Sequence, residues 1–540
     1  MISKFLKGAM VYVSSLLVLS SCERDLNLDV RNIDLKGNKL ASTSGESSLT
    51  NEWKNNPKKL NVIYFVPNDN DSLPNFRSRI SEILLRGQQL FAESMNYYGY
   101  GRKSYGLDLI NDSLVNIIKI EGLYGKDSYP YNSSVAVPAL TAEINAYFAS
   151  NPSHKKSDHN LIILPSRSGN DLDPGGVPFY GSGRNAYALD YPAMDAKHLG
   201  ASGTLGNLAT TWIGGLLHEL GHGLNLPHSN GTKSSNTLLG NSLMSYGNSH
   251  YGKRPVYLTA VCAAILNDNQ VFATTDRTDW YQNFDFSLKN IQARYNNDSI
   301  IVSGKFTSNK AINTVKAYFD KAPFGTNLDY EAVTFATSVT GGDSFEFVIP
   351  LDEFQTTLTG EYQLRLRFEG VNGKMYQQAY EFSFNSGIPS LSHIYKREIY
   401  PNRSLWTITG SSTQLNSGLS NLLDGDYNTN WHTPWNPTVV NHPHNFTVDT
   451  KQIQPFNVLL VYNRTNTTGS LKDFTLSSSN DGMVWTSHGT FTMSQAKGYN
   501  YIYLPSTITA RYVKIQTINS YNNMGYTHMG EFALDYIPNL

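Results

Sequence analysis

The sequence is poor in cysteine, with two in 540 residues, Cys22 and Cys262. If either is chemically modified, no intramolecular disulfide can form. An excess of charge is missing as well. The 43 basic and 44 acidic residues leave a net charge of −1, which gives no electrostatic case for nucleic acid or an acidic polymer as partner. Long apolar runs are also lacking. The stretch from Ala9 to Leu19 is too short for a stable membrane span. Aromatic residues are plentiful, at 12% with 34 tyrosines, as in β-rich extracellular modules that bind glycans or proteins. A chain of this length predicts three or four domains at roughly 150 residues each.

The densest chemistry lies in His218-Glu219-Leu220-Gly221-His222-Gly223-Leu224-Asn225-Leu226-Pro227-His228. Leu208, Trp212, Leu216, Leu220 and Leu224 recur near the helical period and predict a helix over about Leu205 to Leu224. On it His218 and His222 project from one face about a turn apart, so two imidazoles can grip one metal ion. Glu219 is placed beside them to take a proton from a water that the metal acidifies. A third ligand needs the chain to turn. Asn225 tolerates a left-handed conformation and Pro227 discourages further helix, which delivers His228. Three protein ligands and a water describe an open, catalytic zinc site, whereas a structural site would hold a fourth protein ligand. The bland alternative is a set of surface histidines, and retention of Glu219 argues against a decayed enzyme.

The pattern H-E-x-x-H-x-x-N-x-x-H resembles the metzincin zinc endopeptidases, whose usual residue at the Asn225 position is glycine. Ser242-Leu243-Met244-Ser245-Tyr246 looks like the methionine turn of that clan. The resemblance implies that Met244 lies beneath the zinc and that Tyr246 reaches the metal or the transition-state oxyanion. Apolar runs predict strands at Leu60 to Val66, Val115 to Ile120 and Asn160 to Leu164, an order that fits the α/β N-terminal half of that clan. Helices are expected at Pro74 to Asn96 and Val137 to Ala149, and a closing helix over Tyr257 to Phe272. The glycine-rich segment from Gly175 to Tyr191 would lie along the cleft, where an edge strand can pair with substrate. Its Gly181 to Gly183 lacks the strand–helix setting of a phosphate loop.

Lys4 and Lys7, the apolar stretch and then Leu19-Ser20-Ser21-Cys22 look like a bacterial lipobox. This implies a signal peptide over 1–21, lipidation of Cys22, and a flexible tether over 22–52 rich in Ser, Thr, Gly and Lys. The expected address is the bacterial outer membrane, at the cell surface. Cys262, inside apolar Leu258 to Leu266, reads as a buried core thiol. The sequons at Asn132, Asn230, Asn402 and Asn463 are then accidental.

The metallopeptidase domain is expected over 53–282. From 283 to 388, short alternating runs between Gly, Asn and Asp turns predict an immunoglobulin-like β-sandwich that acts as a spacer. From 394 to 540, Asn421-Leu422-Leu423-Asp424-Gly425-Asp426 through Trp431, Ser479-Asn480-Asp481-Gly482 and Ala510 to Ile515 resemble the F5/8 type C, or discoidin, β jelly roll grouped with family 32 carbohydrate-binding modules. That resemblance implies a structural calcium held by oxygens of Asn421, Asp424, Asp426, Thr429, Gly530 and Glu531. Candidate glycan contacts are His432, Trp435, Asn463 and Arg464.

The resulting expectation is a multidomain, lipid-anchored zinc endopeptidase acting on protein substrates, host glycoproteins such as mucins foremost, and steered by a glycan-binding module. The rival expectation is a surface glycan-binding adhesin whose metal domain is structural or inactive.

Overall fold

The computed structural model describes residues 52–167, 180–324, 329–391, 394–396, 403–411, 413–426 and 428–536. The leader, Cys22, nearly all of the tether and residues 175–179 of the glycine-rich segment lie outside them. No helix among the described residues is long and apolar enough to cross a membrane.

The first module is built on a five-stranded sheet. Its strands are β1 (Asn61–Val66), β2 (Ile118–Glu121), β3 (Asn160–Pro165), β4 (Tyr180–Ser182) and β5 (Asn185–Asp190), in the order β2-β1-β3-β5-β4. The first four in that order run parallel and β4 closes the edge antiparallel. β1 is buried along its whole length, as a run of Val, Ile, Tyr and Phe requires when both faces of a sheet are covered. Helices α1 (Phe76–Tyr97), α2 (Ser133–Ser150) and α3 (Gly203–Gly223) complete the module, followed by the short α4 (Lys233–Leu239) and α5 (Ala260–Asn267). Ile80, Ile83, Leu84 and Phe91 of α1 share one core with Leu216, Leu217 and Leu220 of α3. Arg79 of α1 clasps Asp190 at the end of β5 through two hydrogen bonds of 2.7 and 2.9 Å, with both side chains buried.

Two expectations are corrected here. The strand expected over Val115 to Ile120 is divided into Leu114–Val115 and β2, because Val115 pairs back on Leu109 in a hairpin. The closing helix covers only Ala260–Asn267, started by the Thr259 cap on the Cys262 amide.

The second module is an antiparallel sandwich. One sheet holds Ser344–Pro350, Ser299–Ser308, Phe286–Asn296 and Tyr395–Lys396; the other holds Val333–Ser338, Thr314–Lys321, Gly360–Glu369, Met375–Asn385 and Ile388–Ser390. Leu391 and Ile394 belong to its core and Tyr395–Lys396 to its sheet. The module therefore reaches at least Lys396, beyond the expected limit at 388.

The C-terminal module is β-rich. Its main sheet orders Thr407–Gly410, Asn445–Asn463, Gly498–Thr517, Asp473–Ser479 and Thr486–Thr492, with Glu531–Asp535 also paired to Asn445–Asn463. Trp431, Phe446, Phe474 and Phe532 fill its core.

Candidate functional site

α3 ends where glycine and asparagine let the chain reverse. Leu226 N donates to Gly221 O at 3.0 Å, and Asn225 adopts φ 70°, the left-handed turn expected of it. That reversal brings His228 back over the helix. The Nε2 atoms of His218 and His228 are 3.3 Å apart, those of His222 and His228 are 3.1 Å apart, and the three donor atoms lie within 4.8 Å of one another.

Protons on the far side of two rings set their tautomers. Nδ1 of His218 donates to Leu243 O at 2.6 Å, and Nδ1 of His222 donates to Leu226 O at 2.8 Å, which leaves each Nε2 with a lone pair facing inward. Burial, then the neighbouring imidazoles, pushes His218 down to about 3, so it stays neutral. Two inward lone pairs, with the Nε2 of His228 beside them, suit a cation. Nitrogens each about 2.0–2.1 Å from a tetrahedral zinc lie roughly 3.3 Å from one another, which the two separations to His228 match, and three imidazoles are a donor set suited to that metal. Glu219 is 8% exposed, and burial alone pushes its carboxyl up to about 8. Met244 is fully buried beneath the site; a Cβ on Gly221 would fall 2.3 Å from its sulfur. Edge strand β4 comes as near from the side, since a Cβ on Gly181 would meet the Cβ of His222 at 2.3 Å.

The tyrosine against the histidines was not evident from the sequence. It is Tyr330, from the sandwich, stacked on His228 with ring centroids 3.7 Å apart and lying 5.8 Å from His218. Ser245 Oγ holds it by donating to Tyr330 O at 2.6 Å. Tyr246 stacks on Tyr330 in turn, at 5.6 Å, and is 41% exposed. No local pattern marks Tyr330, because only the packing of the sandwich on the first module carries it there. The sandwich is thus more than a spacer.

In the C-terminal module the structure gathers His432, Trp435 and Arg464 with two residues not picked out from sequence, Tyr526 and His528. The His432 ring lies 6.0 Å from Trp435, 5.1 Å from Tyr526 and 5.4 Å from His528. Burial, then the Arg464 charge, pushes His528 down to about 4. Nδ1 of His528 and Nε of Arg464 are buried without a hydrogen-bond partner. Asn463 is corrected: it is fully buried, and its amide donates to Ser494 O and Ala496 O, so no sugar can reach it.

Among the expected calcium donors, the carboxylates of Glu531, Asp424 and Asp426 accept hydrogen bonds from within the module. Glu531 is 3% exposed and ion-paired to Arg403, and its other oxygen accepts from Gly425 N at 2.7 Å. Arg403 also donates to Leu422 O and Phe532 O, at 2.9 and 3.0 Å. The Asp424 carboxylate accepts from Asp426 N and Thr429 Oγ1, Asp426 accepts from Asn428 N, and Asn421 donates to Asn430 O. Gly530 N donates to Tyr462 O.

Comparison with known proteins agrees with the modular picture. The F5/8 type C domain family matches residues 407–532, so the C-terminal module is a discoidin-type domain. No curated protein sequence matches the chain. Among solved structures, a catalytically inactive OgpA from Akkermansia muciniphila, in complex with an O-glycopeptide substrate, is 35% identical with a TM-score of 0.60; the match covers 62% of this chain and 95% of that one. Wild-type OgpA from the same organism gives 36% identity, a TM-score of 0.59, and coverage of 62% and 96%. With nearly all of OgpA matched at that identity, the chain belongs to the OgpA family.

Proposed function

We propose that this protein is a zinc-dependent endopeptidase of metzincin type that cleaves O-glycosylated proteins, with mucin-like glycoproteins as its natural substrates. One observation carries the reading: the donor atoms of three imidazoles converge to within 4.8 Å of one another beside a buried glutamate. His218, His222 and His228 would hold the metal. Zinc bound there supplies Lewis-acid polarisation of the scissile carbonyl and a water acidified to a pKa of about 7. Glu219 accepts the proton of that water and returns it to the leaving amine. Tyr330, laid over His228, fixes that ligand and excludes water from one side of the site. Tyr246 forms the wall beyond it. Strand β4, the edge of this sheet among the described residues, would pair with an extended peptide, which favours cleavage within a chain over trimming of an end.

The relationship to OgpA, whose structure holds an O-glycopeptide substrate, supports the substrate class. His432, Trp435, Arg464, Tyr526 and His528 would grip a glycan through one aromatic face and several donors, raising the local concentration of substrate. A lipid on Cys22 would tether the enzyme to the bacterial outer membrane at the cell surface.

The test incubates the purified, zinc-loaded protein with a mucin-type glycoprotein, beside a chelated sample and Glu219→Ala. Cleavage by the first alone, with Glu219→Ala slower by about 10²–10⁴-fold at unchanged zinc content, is expected. Glycoprotein binding without cleavage in all three would replace this reading with a glycan-binding adhesin.

A further inference from the structure

The last carbonyls of a helix have no partner within it. At the end of α3, one residue past His222, Gly223 O finds a partner in Nδ1 of the fully buried His159, at 2.7 Å. A carbonyl only accepts, so Nδ1 carries the proton and Nε2 must accept in turn. The Tyr281 hydroxyl supplies that donor at 2.5 Å, and itself accepts from Gln270 N at 3.1 Å. Hydrogen bonds thus run in one direction from the segment after α5, through the tyrosine and then His159, to the end of the helix that carries His218 and His222.

Tyr281 is also unusual in its backbone. Its φ is 59°, a left-handed value that a bulky residue rarely adopts and that persists only where the surroundings enforce it. The sandwich does the enforcing. Tyr281 N donates to Asn372 O at 2.8 Å, and the buried Asn372 amide donates to Asp279 O and Gln282 O, on either side of the tyrosine, at 2.9 and 3.0 Å. Gly373 lies against the ring, since a Cβ there would fall 2.4 Å from it. Arg184 stacks on the same ring, with its guanidinium carbon 4.4 Å from the centroid. Arg184 occupies the turn between β5 and β4, the edge strand that approaches His222. One side chain therefore meets the sandwich, the hairpin of the edge strand and, through His159, the end of α3.

We infer that Tyr281 is a positioning residue: acting through His159 and Arg184, it sets His222 and the edge strand relative to each other and makes the geometry of the site depend on the docked sandwich. The inference rests on the peptidase reading above. Distance from the chemistry is no objection, because misplacing a reacting group by about 1 Å can cost up to about 100-fold in rate.

The test uses the full chain in three variants. Tyr281→Phe keeps the ring on Arg184 and removes the hydroxyl. His159→Asn keeps an amide donor where Nδ1 met Gly223 O and is too short to reach the tyrosine. The third variant combines the two. With cobalt in place of zinc, each single variant should shift the visible ligand-field bands. With zinc, each should lower kcat on a mucin-type glycoprotein about tenfold while KM stays within about twofold. Both changes cut one link, so the double variant should be no worse than either single one. A merely structural tyrosine would lower the melting temperature of the variants and leave the cobalt bands of the folded protein where the wild type has them. Unchanged bands, or losses that multiply in the double variant, overturn the inference. Bands that shift as expected, in a protein whose wild-type form cuts no glycoprotein, would keep the positioning role and remove the peptidase reading instead; a wild type that takes up no cobalt would remove both.

Discussion

Each of the three histidines owes its orientation to a partner that is not a ligand, and the partners differ. His218 and His222 lean on backbone carbonyls, which no substitution removes, whereas His228 leans on the ring of Tyr330. Tyr330→Ala should therefore weaken zinc binding by about 10–100-fold, as loss of a ligand's supporting shell does, and competition against a graded chelator would measure it. Tyr330→Phe keeps the ring and should bind zinc like the wild type. At this scale the sequence was most readable where chemistry is local. The three histidines, Glu219 and the left-handed Asn225 all sit in one stretch, so spacing alone was enough to expect the histidines to converge. Tyr330 and His528 are far from their partners along the chain, and no local pattern could announce them. Asn463 shows the converse error. Its residue type suits a sugar contact, but it sits in the buried part of a strand.

Among the elements, α3 is held where close approach leaves no room for side chains. A Cβ on Gly214 would fall 1.8 Å from the Asn248 carbonyl oxygen, in the turn that follows Met244. Backbone cannot yield as a flexible side chain does. Gly214→Ala should cost about 2–3 kcal/mol, read as a lowered melting temperature, with loss of bound zinc as the helix shifts off the turn. The helical and strand periods were legible for β1, α1, α2, β3 and α3 because each buries one continuous apolar face or run. The division near Val115 was not, because Val, Asn and Ile continue the alternating pattern across the hairpin. Cys262 is buried as expected, its thiol near Ser229 and Thr259.

For the whole molecule, the joint between the first two modules matters more than their sequences imply. Lys316 and Glu369 of the sandwich form a fully buried ion pair, and burial pushes nearby Asp268, just past α5, upward. His159, also fully buried, links Gly223 O at the end of α3 to the Tyr281 hydroxyl in the connecting segment. Burial lowers His159 to about 4. The folded protein therefore keeps it neutral until that pH, while the unfolded chain takes up its proton near the ordinary value of about 6.5. Unfolding thus absorbs a proton between these limits, so stability should fall as pH drops from about 6.5 towards 4, by up to ~3 kcal/mol, and hold above that window. Denaturant midpoints should show this slope, and His159→Gln should flatten it. The sandwich also sets where the chain can be cut. A protein ending just after Lys396 retains Leu391, Ile394 and Tyr330, so it should cleave short glycopeptides at the full-length rate yet need about tenfold more of a large glycoprotein to reach half its maximal rate.

Edge strand Tyr180–Ser182 beside His222 carries one more consequence. Any chain laid along it takes on the pleat of a β-ribbon, in which successive side chains point to opposite faces. A densely decorated stretch of serines and threonines would then present every second ornament towards the enzyme and turn the others out to solvent. On the peptidase reading, crowding that would bar most proteases would become a matter of parity, with alternate positions turned away from the site.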